Sequence, residues 1–145
     1  MIFTGIGHVA IRCTDIDRSL AFYTDVFGFP EMFRLNQDDG RVWLVYLRVT
    51  DTLYLELFPD GEGNKVPGPN ATGYNHLCVE TADINAAAKH FEELGVPLAK
   101  PVVTGRDGNR QCWIDDPDGN RIEIMQMMPD CMQFAAIKAM KAERS

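Results

Sequence analysis

The sequence predicts an α+β fold in which two βαβββ modules follow one another and form a cupped, mainly antiparallel sheet with helices on its outer face. Two observations lead to this prediction. The chain resembles itself when it is shifted by 68 residues, so that GIGHVAIRCTDIDRSLAFYTDVFGFP at 5–30 lies over GYNHLCVETADINAAAKHFEELGVP at 73–97. In both copies, a segment of alternating apolar residues comes before a segment with helical spacing.

The first half of each copy is predicted as a strand followed by a helix. Apolar residues alternate in 6–12 and in 75–80, which is typical of half-buried strands. Asp15 and Asp83 suit the N-cap position, and Gly28 and Gly95 are expected to end the helices. The apolar helix face consists of Ile16, Leu20, Tyr23 and Phe27 in one copy and of Ile84, Ala87, Phe91 and Leu94 in the other.

The second half of each copy is rich in β-branched and aromatic residues separated by turn-forming residues. Strands are predicted at 41–49, 52–58, 110–115 and 120–126, and weaker segments near 31–35 and 98–103 supply one more strand in each copy. A tight turn is expected at 116–119, where Pro117 and Gly119 suit a chain reversal.

The composition indicates four segments. Residues 1–58 form the first module, and 59–73, rich in Gly, Pro and Asn, form a linker. Residues 74–128 form the second module. Residues 129–145 form a tail with helical composition, which we expect to pack against the protein or to contact another subunit.

Charge and cysteine content restrict the partners of the protein. The chain has 145 residues with 14 Lys and Arg against 21 Asp and Glu, a net charge of −7, so nucleic acid is not an expected partner. The four cysteines are scattered, the first residues do not resemble a signal peptide, and no apolar run approaches the ~20 residues of a membrane helix. We therefore expect a cytoplasmic protein with reduced thiols that contacts no membrane and binds a small-molecule substrate.

Four residues with metal-ligating side chains occupy matching positions in the repeat. His8 lies over His76, and Glu56 lies over Glu123. In each predicted strand the ligand-type residue alternates with aliphatic residues, as Glu123 does with Ile122 and Ile124. If the helices cover the aliphatic faces, all four side chains line the opposite, uncovered side.

Each of these residues taken alone is more simply interpreted as a solvated or hydrogen-bonded polar side chain. Together, two imidazoles and two carboxylates suit one divalent metal ion per site, with Ni, Co or Zn favoured and Fe or Mn as further candidates. Four protein ligands around an octahedral ion leave two positions for water or substrate, which indicates chemistry rather than a structural role.

At this point the chain resembles the vicinal oxygen chelate superfamily, which includes glyoxalase I, bleomycin resistance proteins, extradiol dioxygenases, methylmalonyl-CoA epimerase and fosfomycin resistance enzymes. The resemblance covers residues 5–128 and rests on GIGHVAIRCTDIDRSLAFYTDVFGF, LYLELF, GYNHLCVE and DPDGNRIEI. It implies paired βαβββ modules around a metal, whereas the reaction varies among members.

The order of the four ligand-type residues indicates which members of the superfamily the chain resembles most. His8, Glu56, His76 and Glu123 follow the order of glyoxalase I, the lactoylglutathione lyase, whereas the epimerases usually have Gln at the position of Glu56. Arg12 is similar to a family arginine that binds the glutathione carboxylate. Asp60 stands where glyoxalase I typically has an Asn that helps to hold glutathione, so the resemblance supports isomerase-like chemistry more strongly than it supports glutathione as the substrate.

These observations lead to a hypothesis for function. The protein is expected to be a divalent-metal-dependent isomerase or lyase of the glyoxalase I type, acting through an enediolate on an α-hydroxycarbonyl or hemithioacetal with vicinal oxygens. Glu123, or else Glu56, is the expected catalytic base, and both are expected metal ligands together with His8 and His76. The residues expected to meet the substrate on the same face are Arg12, Tyr46 and Arg121.

Several alternatives stay open at this level. Within enzymes they are an isomerase or epimerase of a sugar-like hydroxyketone and, with Fe²⁺, an extradiol-type dioxygenase. Outside enzymes the alternative is a metal-free resistance protein that binds a small molecule. The resemblance also implies a homodimer, with each site formed within one chain or shared between two chains.

Overall fold

The computed structural model of the chain describes residues 2–63 and 66–143. Three of the predicted segments extend beyond the described residues: the first module by residue 1, the linker by residues 64 and 65, and the tail by residues 144 and 145. Within the described part, the elements are β1 (His8–Arg12), α1 (Ile16–Phe27), β2 (Glu31–Asn36), β3 (Val42–Arg48), β4 (Tyr54–Phe58), β5 (Leu77–Glu80), α2 (Ile84–Glu93), β6 (Lys100–Thr104), β7 (Arg110–Asp115), β8 (Arg121–Gln126) and α3 (Met132–Ala142). The predicted order βαβββ occurs twice and is confirmed.

The chain consists of two compact units, Met1–Val66 and Pro67–Ser145. Among the described residues each unit contains a four-stranded sheet, with strand order β1-β4-β3-β2 in the first unit and β5-β8-β7-β6 in the second. The first strand of each unit pairs in parallel with the last one, β1 with β4 and β5 with β8, and the other neighbours are antiparallel. The predicted α+β class with tandem modules is thus confirmed, whereas the module, linker and tail bounds stay predictions.

The two module helices begin where the sequence predicts, whereas Leu94, expected on the apolar face of the second helix, is the exposed residue after the end of α2. The side chain of Asp15 accepts hydrogen bonds from the amides of Asp17 and Arg18, and Asp83 caps α2 in the same way. Helix α1 ends at Gly28, whose φ of 68° lies in the left-handed region that favours glycine. The start of each helix is therefore set by local sequence.

The core of each unit lies between its sheet and its helix. In the first unit, the buried residues include Tyr23 of α1, Val45 and Leu47 of β3, and Leu55 and Leu57 of β4. In the second unit, the buried residues are Ile84 and Phe91 of α2, Cys112 and Ile114 of β7, and Ile122 and Ile124 of β8. Because side chains alternate along a strand, the residues between these aliphatic positions face away from the helices.

The predicted turn between β7 and β8 is confirmed and is organised by Asp116. The Asp116 carboxylate accepts hydrogen bonds from the amides of Asp118 and Asn120 and from the Asn120 side chain, at 2.8–2.9 Å. The turn holds Arg121 and Glu123 at the start of β8. None of the helices in the described parts of the chain has the length and apolar character needed to cross a membrane.

Candidate functional site

The first unit brings His8 and Glu56 together, as the sequence predicts. His8 begins β1, Glu56 lies in the middle of β4, and the parallel register places Glu56 beside Ala10, two residues from His8. His8 Nδ1 lies 3.8 Å from Glu56 Oε1. Glu56 is only 8% exposed, so its carboxylate is removed from most of the water that would stabilise its charge.

The second unit contains the equivalent pair in a tighter arrangement. His76 Nε2 lies 3.1 Å from Glu123 Oε2. His76 directly precedes β5 rather than lying in it, which corrects the expectation of a histidine on the first strand of each module. The preceding residue, Asn75, contacts the His76 ring, with Asn75 Oδ1 2.8 Å from His76 Nδ1.

Aromatic residues flank the two carboxylates at equivalent positions of the repeat. Tyr46 is the cross-strand partner of Glu56, and Trp113 is the cross-strand partner of Glu123. The Trp113 ring meets the His76 ring edge to face at 4.8 Å, which restricts the imidazole. Trp113 and Asn75 were not predicted as site residues from the sequence. The position opposite Glu123 on the neighbouring strand could have identified Trp113. The position directly before His76 could have identified Asn75.

A thiol and a phenol lie beside the carboxylates. Burial, and secondly the charge of Glu123, raises the pKa of the Cys78 thiol to about 12, although part of this side chain is exposed. Burial, followed by the charge of Glu56 and a hydrogen bond to it, raises the pKa of Tyr46. Both groups are therefore protonated at neutral pH and are available as hydrogen-bond donors to the two carboxylates.

The three residues predicted to bind substrate have partners in the structure. Arg12 Nη1 donates to the carbonyl oxygen of Pro59 at 2.7 Å, and Arg121 donates to the carbonyl oxygens of Pro67 at 3.1 Å and Asn75 at 2.6 Å. Tyr46 stacks on Phe33 with ring centres 4.4 Å apart. Both arginines thus fix nearby loop backbone, and a substrate-binding role for the three residues stays a prediction.

Asp60, the position that differs from the glyoxalase I pattern, has a φ of 61°. Asp and Asn are the non-glycine residues that adopt this left-handed conformation most readily, so the backbone itself suits either residue. The next residue, Gly61, lies so close to the end of β1 that a Cβ atom would stand 2.9 Å from the Cys13 carbonyl carbon. The start of the segment after β4 is therefore fixed against β1.

The donor atoms of the two pairs fit a divalent metal ion. Imidazole nitrogen and carboxylate oxygen are the ligands that Ni²⁺, Co²⁺ and Zn²⁺ bind, and two shielded carboxylates need a positive partner. Across residues 2–63 and 66–143, no group of three or more His, Cys, Asp and Glu side chains forms a metal cluster. Each His/Glu pair therefore offers two ligand-type side chains, and metal binding by any of the four residues stays a prediction.

The fold and these paired ligands define a class of protein, and the comparison with known families identifies it. The chain belongs to the Glyoxalase/Bleomycin resistance protein/Dioxygenase superfamily, whose family model matches residues 5–124. The predicted resemblance to the vicinal oxygen chelate superfamily is thereby confirmed.

Curated relatives include enzymes of one named activity. The chain is 29% identical to lactoylglutathione lyase of Pseudomonas putida, with 85% of each chain covered. It is 30% identical to lactoylglutathione lyase of Pseudomonas aeruginosa, with 83% of this chain and 81% of the relative covered. It is equally 30% identical to the uncharacterised protein YaeR of Escherichia coli, covering 83% of this chain and 95% of that protein.

Solved structures show the same fold. The crystal structure of lactoylglutathione lyase from Agrobacterium tumefaciens matches with a TM-score of 0.66 at 27% identity, covering 87% of this chain and 96% of that one. A glyoxalase family protein from Enterococcus faecalis matches with a TM-score of 0.75 at 24% identity, covering 86% and 99% of the two chains.

Proposed function

We propose that this protein is a divalent-metal-dependent isomerase or lyase of the glyoxalase I type, acting on a substrate with vicinal oxygens. The observation that carries the proposal is the His/Glu pair at the same repeat position of each unit, with ligand atoms 3.8 Å and 3.1 Å apart. The lactoylglutathione lyases among its relatives make the hemithioacetal of glutathione and methylglyoxal the first substrate to test.

His8, Glu56, His76 and Glu123 are the proposed ligands of one metal ion. The two pairs come either from one chain or from two chains of a homodimer. A bound divalent ion supplies Lewis acidity, which polarises a substrate carbonyl and stabilises negative charge on oxygen.

The carboxylates supply the proton transfer. The reaction moves a proton between neighbouring carbons, so a base must remove it from one carbon and return it to the next. We assign this role to Glu123, whose side chain is slightly more accessible than that of Glu56, with Glu56 as the second candidate. The neutral thiol of Cys78 and the phenol of Tyr46 act as hydrogen-bond donors that orient the two carboxylates.

Arg12 is proposed to bind an anionic group of the substrate. Its Nη1 is held by the Pro59 carbonyl and its guanidinium lies over Phe58, with 5.4 Å from the guanidinium carbon to the ring centre. These two contacts orient the guanidinium group, and the rest of the group is exposed. A pre-oriented arginine loses less entropy when it binds a carboxylate.

The deciding experiment is a turnover assay of protein stripped of metal and reloaded with Ni²⁺, Co²⁺ or Zn²⁺. Turnover of the hemithioacetal that depends on the added metal supports the full proposal. Stoichiometric metal binding without this turnover, but with isomerisation of a hydroxyketone sugar, overturns the substrate assignment and keeps the metal-dependent class. Oxygen uptake with a catechol and Fe²⁺ overturns the isomerase class, and absence of metal binding overturns the proposal as a whole.

A further inference from the structure

We propose that Asn75 is a positioning residue that fixes the ring of His76 and makes the His76/Glu123 pair the anchoring half of the metal site. The proposal rests on the proposed function, because it assigns an order of importance to its two ligand pairs.

The hydrogen bonds of Asn75 determine which nitrogen of His76 carries a proton. Asn75 Nδ2 donates to the Pro69 carbonyl oxygen at 2.8 Å, and a carbonyl oxygen accepts only. The amide nitrogen is therefore on that side, and Oδ1 faces His76 Nδ1 at 2.8 Å. Because an amide oxygen also accepts only, His76 Nδ1 is the donor and carries the proton.

This assignment leaves Nε2 of a neutral His76 with its lone pair directed at Glu123. The two atoms, His76 Nε2 and Glu123 Oε2, are 3.1 Å apart. Two acceptors at this distance repel unless a proton or a cation lies with them. A metal ion meets this requirement, and a second hydrogen bond on the other ring nitrogen is the usual way in which proteins orient a ligating histidine.

Asn75 is itself held in place from the strand that carries Glu123. Arg121, two residues before Glu123 in β8, donates to the carbonyl oxygens of Asn75 at 2.6 Å and Pro67 at 3.1 Å. The loop around Asn75 is thus fixed at both ends by one side chain. The Trp113 ring, 4.8 Å from the His76 ring, restricts the imidazole from another direction.

The first unit has no side chain equivalent to that of Asn75. The repeat places Gly7 where the second unit has Asn75, and a glycine offers no side chain to the following histidine. The His8 side chain is 54% exposed and its ring lies 3.8 Å from Glu56, whereas the His76 side chain is 31% exposed. The ring of the second pair is therefore held more firmly than the ring of the first, which makes the second pair the better prepared one for binding a metal ion.

The test compares three variants with the wild type. Asn75→Ala removes the acceptor for His76, Asn75→Asp keeps an acceptor but loses the donor to Pro69, and Asn70→Ala is a matched control in the same loop. Zinc affinity is measured by competition with a chromophoric chelator. Asn75→Ala is expected to bind zinc about 10- to 100-fold more weakly. Asn75→Asp and Asn70→Ala are expected to keep most of the affinity, because the acceptor for His76 is retained.

A second readout uses zinc-loaded protein and needs no substrate. Long-range proton–nitrogen spectra report which ring nitrogen of His76 binds the ion and which one is protonated. We expect a zinc-bound Nε2 and a protonated Nδ1 in the wild type and in Asn75→Asp, and a mixture of the two binding modes in Asn75→Ala. A role of Asn75 in loop stability alone would leave the bound nitrogen unchanged, and that outcome overturns its positioning role.

The anchoring order is tested with the two histidines. His76→Ala is expected to weaken zinc binding more than His8→Ala does, and the reverse order overturns the inference. Wild-type protein that binds no zinc overturns the proposed function and the anchoring together. Normal zinc binding with equal losses in Asn75→Ala and Asn70→Ala overturns only the part assigned to Asn75.

Discussion

Glu123 and Glu56 carry the acid–base chemistry of the proposed reaction, and their charge can be removed with little change in shape. Glu123→Gln and Glu56→Gln are expected to keep the fold, since each side chain faces away from the aliphatic core. At least one of them should lose about 10²- to 10⁴-fold in turnover, the usual contribution of a general base. The measurement is kcat with hemithioacetal at saturating metal, with circular dichroism to verify folding. Glu92→Gln, an exposed change on α2, is the control, and full activity in both site variants contradicts the assignment.

Trp113 offers an optical report of metal binding in the second unit. The chain has two tryptophans, and Trp43 is half exposed, three residues before Tyr46 and thus on the opposite face of β3. In Trp43→Phe the remaining fluorescence comes from Trp113, whose ring touches His76. Paramagnetic Ni²⁺ or Co²⁺ is expected to quench it strongly with a single binding curve. The matched variant Trp113→Phe should respond much less, and equal quenching of both variants would refute the placement of the ion.

The proximity of a His and a Glu in each unit could be predicted from the sequence, because the repeat contains this pair twice. His8 and His76 share one position of the module, and strand alternation places each Glu opposite the aliphatic core. The contacts of Arg121 could not be predicted in the same way. Its partners at Pro67 and Asn75 depend on the path of a loop rich in Gly, Pro and Asn, and no periodicity describes such a path.

Helix α3 is capped by residues that lie outside the helix. Its N-cap residue, Cys131, makes no side-chain capping hydrogen bond. The β6–β7 turn supplies the capping instead, since the Asp107 carbonyl oxygen accepts from the Met132 amide at 2.8 Å and Asn109 contacts Gln133 at 2.9 Å. The helix is therefore attached to the second unit mainly through polar contacts at its first turn.

Removing Asn109 should release this attachment. Asn109 is 1% exposed, accepts from the Met128 amide at 3.0 Å and donates to Asp107 at 2.9 Å. Asn109→Ala leaves these groups without their partner, at a cost of about 1 to 3 kcal/mol. Urea unfolding should show this loss, and hydrogen exchange should show the fastest new exchange in α3. The exposed Asn36→Ala is the control, and unchanged exchange in α3 would argue against the capping role.

The stabilisation that the β6–β7 turn gives to α3 is expected to be lost at acidic pH. Hydrogen bonds from Gln133 and then from Asn109 lower the pKa of Asp107. A lowered folded-state pKa means that the stabilisation is fully present above the unfolded Asp pKa of about 3.9 and is lost as the pH falls through the folded-state value. The stability difference between wild type and Asp107→Asn should therefore shrink only in this acidic range. Urea midpoints measured from neutral pH to about pH 3 check this, and a difference that already disappears near pH 6 would exclude Asp107 as the cause.

The strands and caps of both modules were predictable, whereas their pairing was not. Alternation located β3, β4, β7 and β8, and an aspartate before each apolar helical segment located the start of α1 and α2. The parallel pairing of β1 with β4 and of β5 with β8 depends on contacts far apart in sequence. The capping of α3 by Asp107 and Asn109 could not be predicted for the same reason, because the residues that meet are separated by more than twenty positions.

At the scale of the whole molecule, the homodimer stays a prediction, and the exposed apolar side chains indicate where its contact surface should lie. Ile2, Phe3 and Ile6 are 92%, 81% and 76% exposed, directly before β1, and β1 is an edge strand of the first sheet. An apolar segment beside an open strand edge is costly in water and is a common site of chain association. This N-terminal segment is therefore the surface that we expect to be covered in a dimer.

Sedimentation equilibrium is expected to give twice the chain mass at micromolar protein. Phe3→Ser and Ile6→Ser should weaken the dimer, because each replaces apolar contact area with a group that water solvates, whereas Leu94→Ser, which changes an exposed apolar residue after α2, should not.

Mixing His8→Ala with His76→Ala protein then distinguishes the two arrangements of the site. If pairs from two chains share a metal, mixed dimers regain one intact site and part of the activity. If one chain holds all four ligands, mixing restores nothing. A chain that stays monomeric at every concentration would contradict the dimer and require all four ligands to come from one chain.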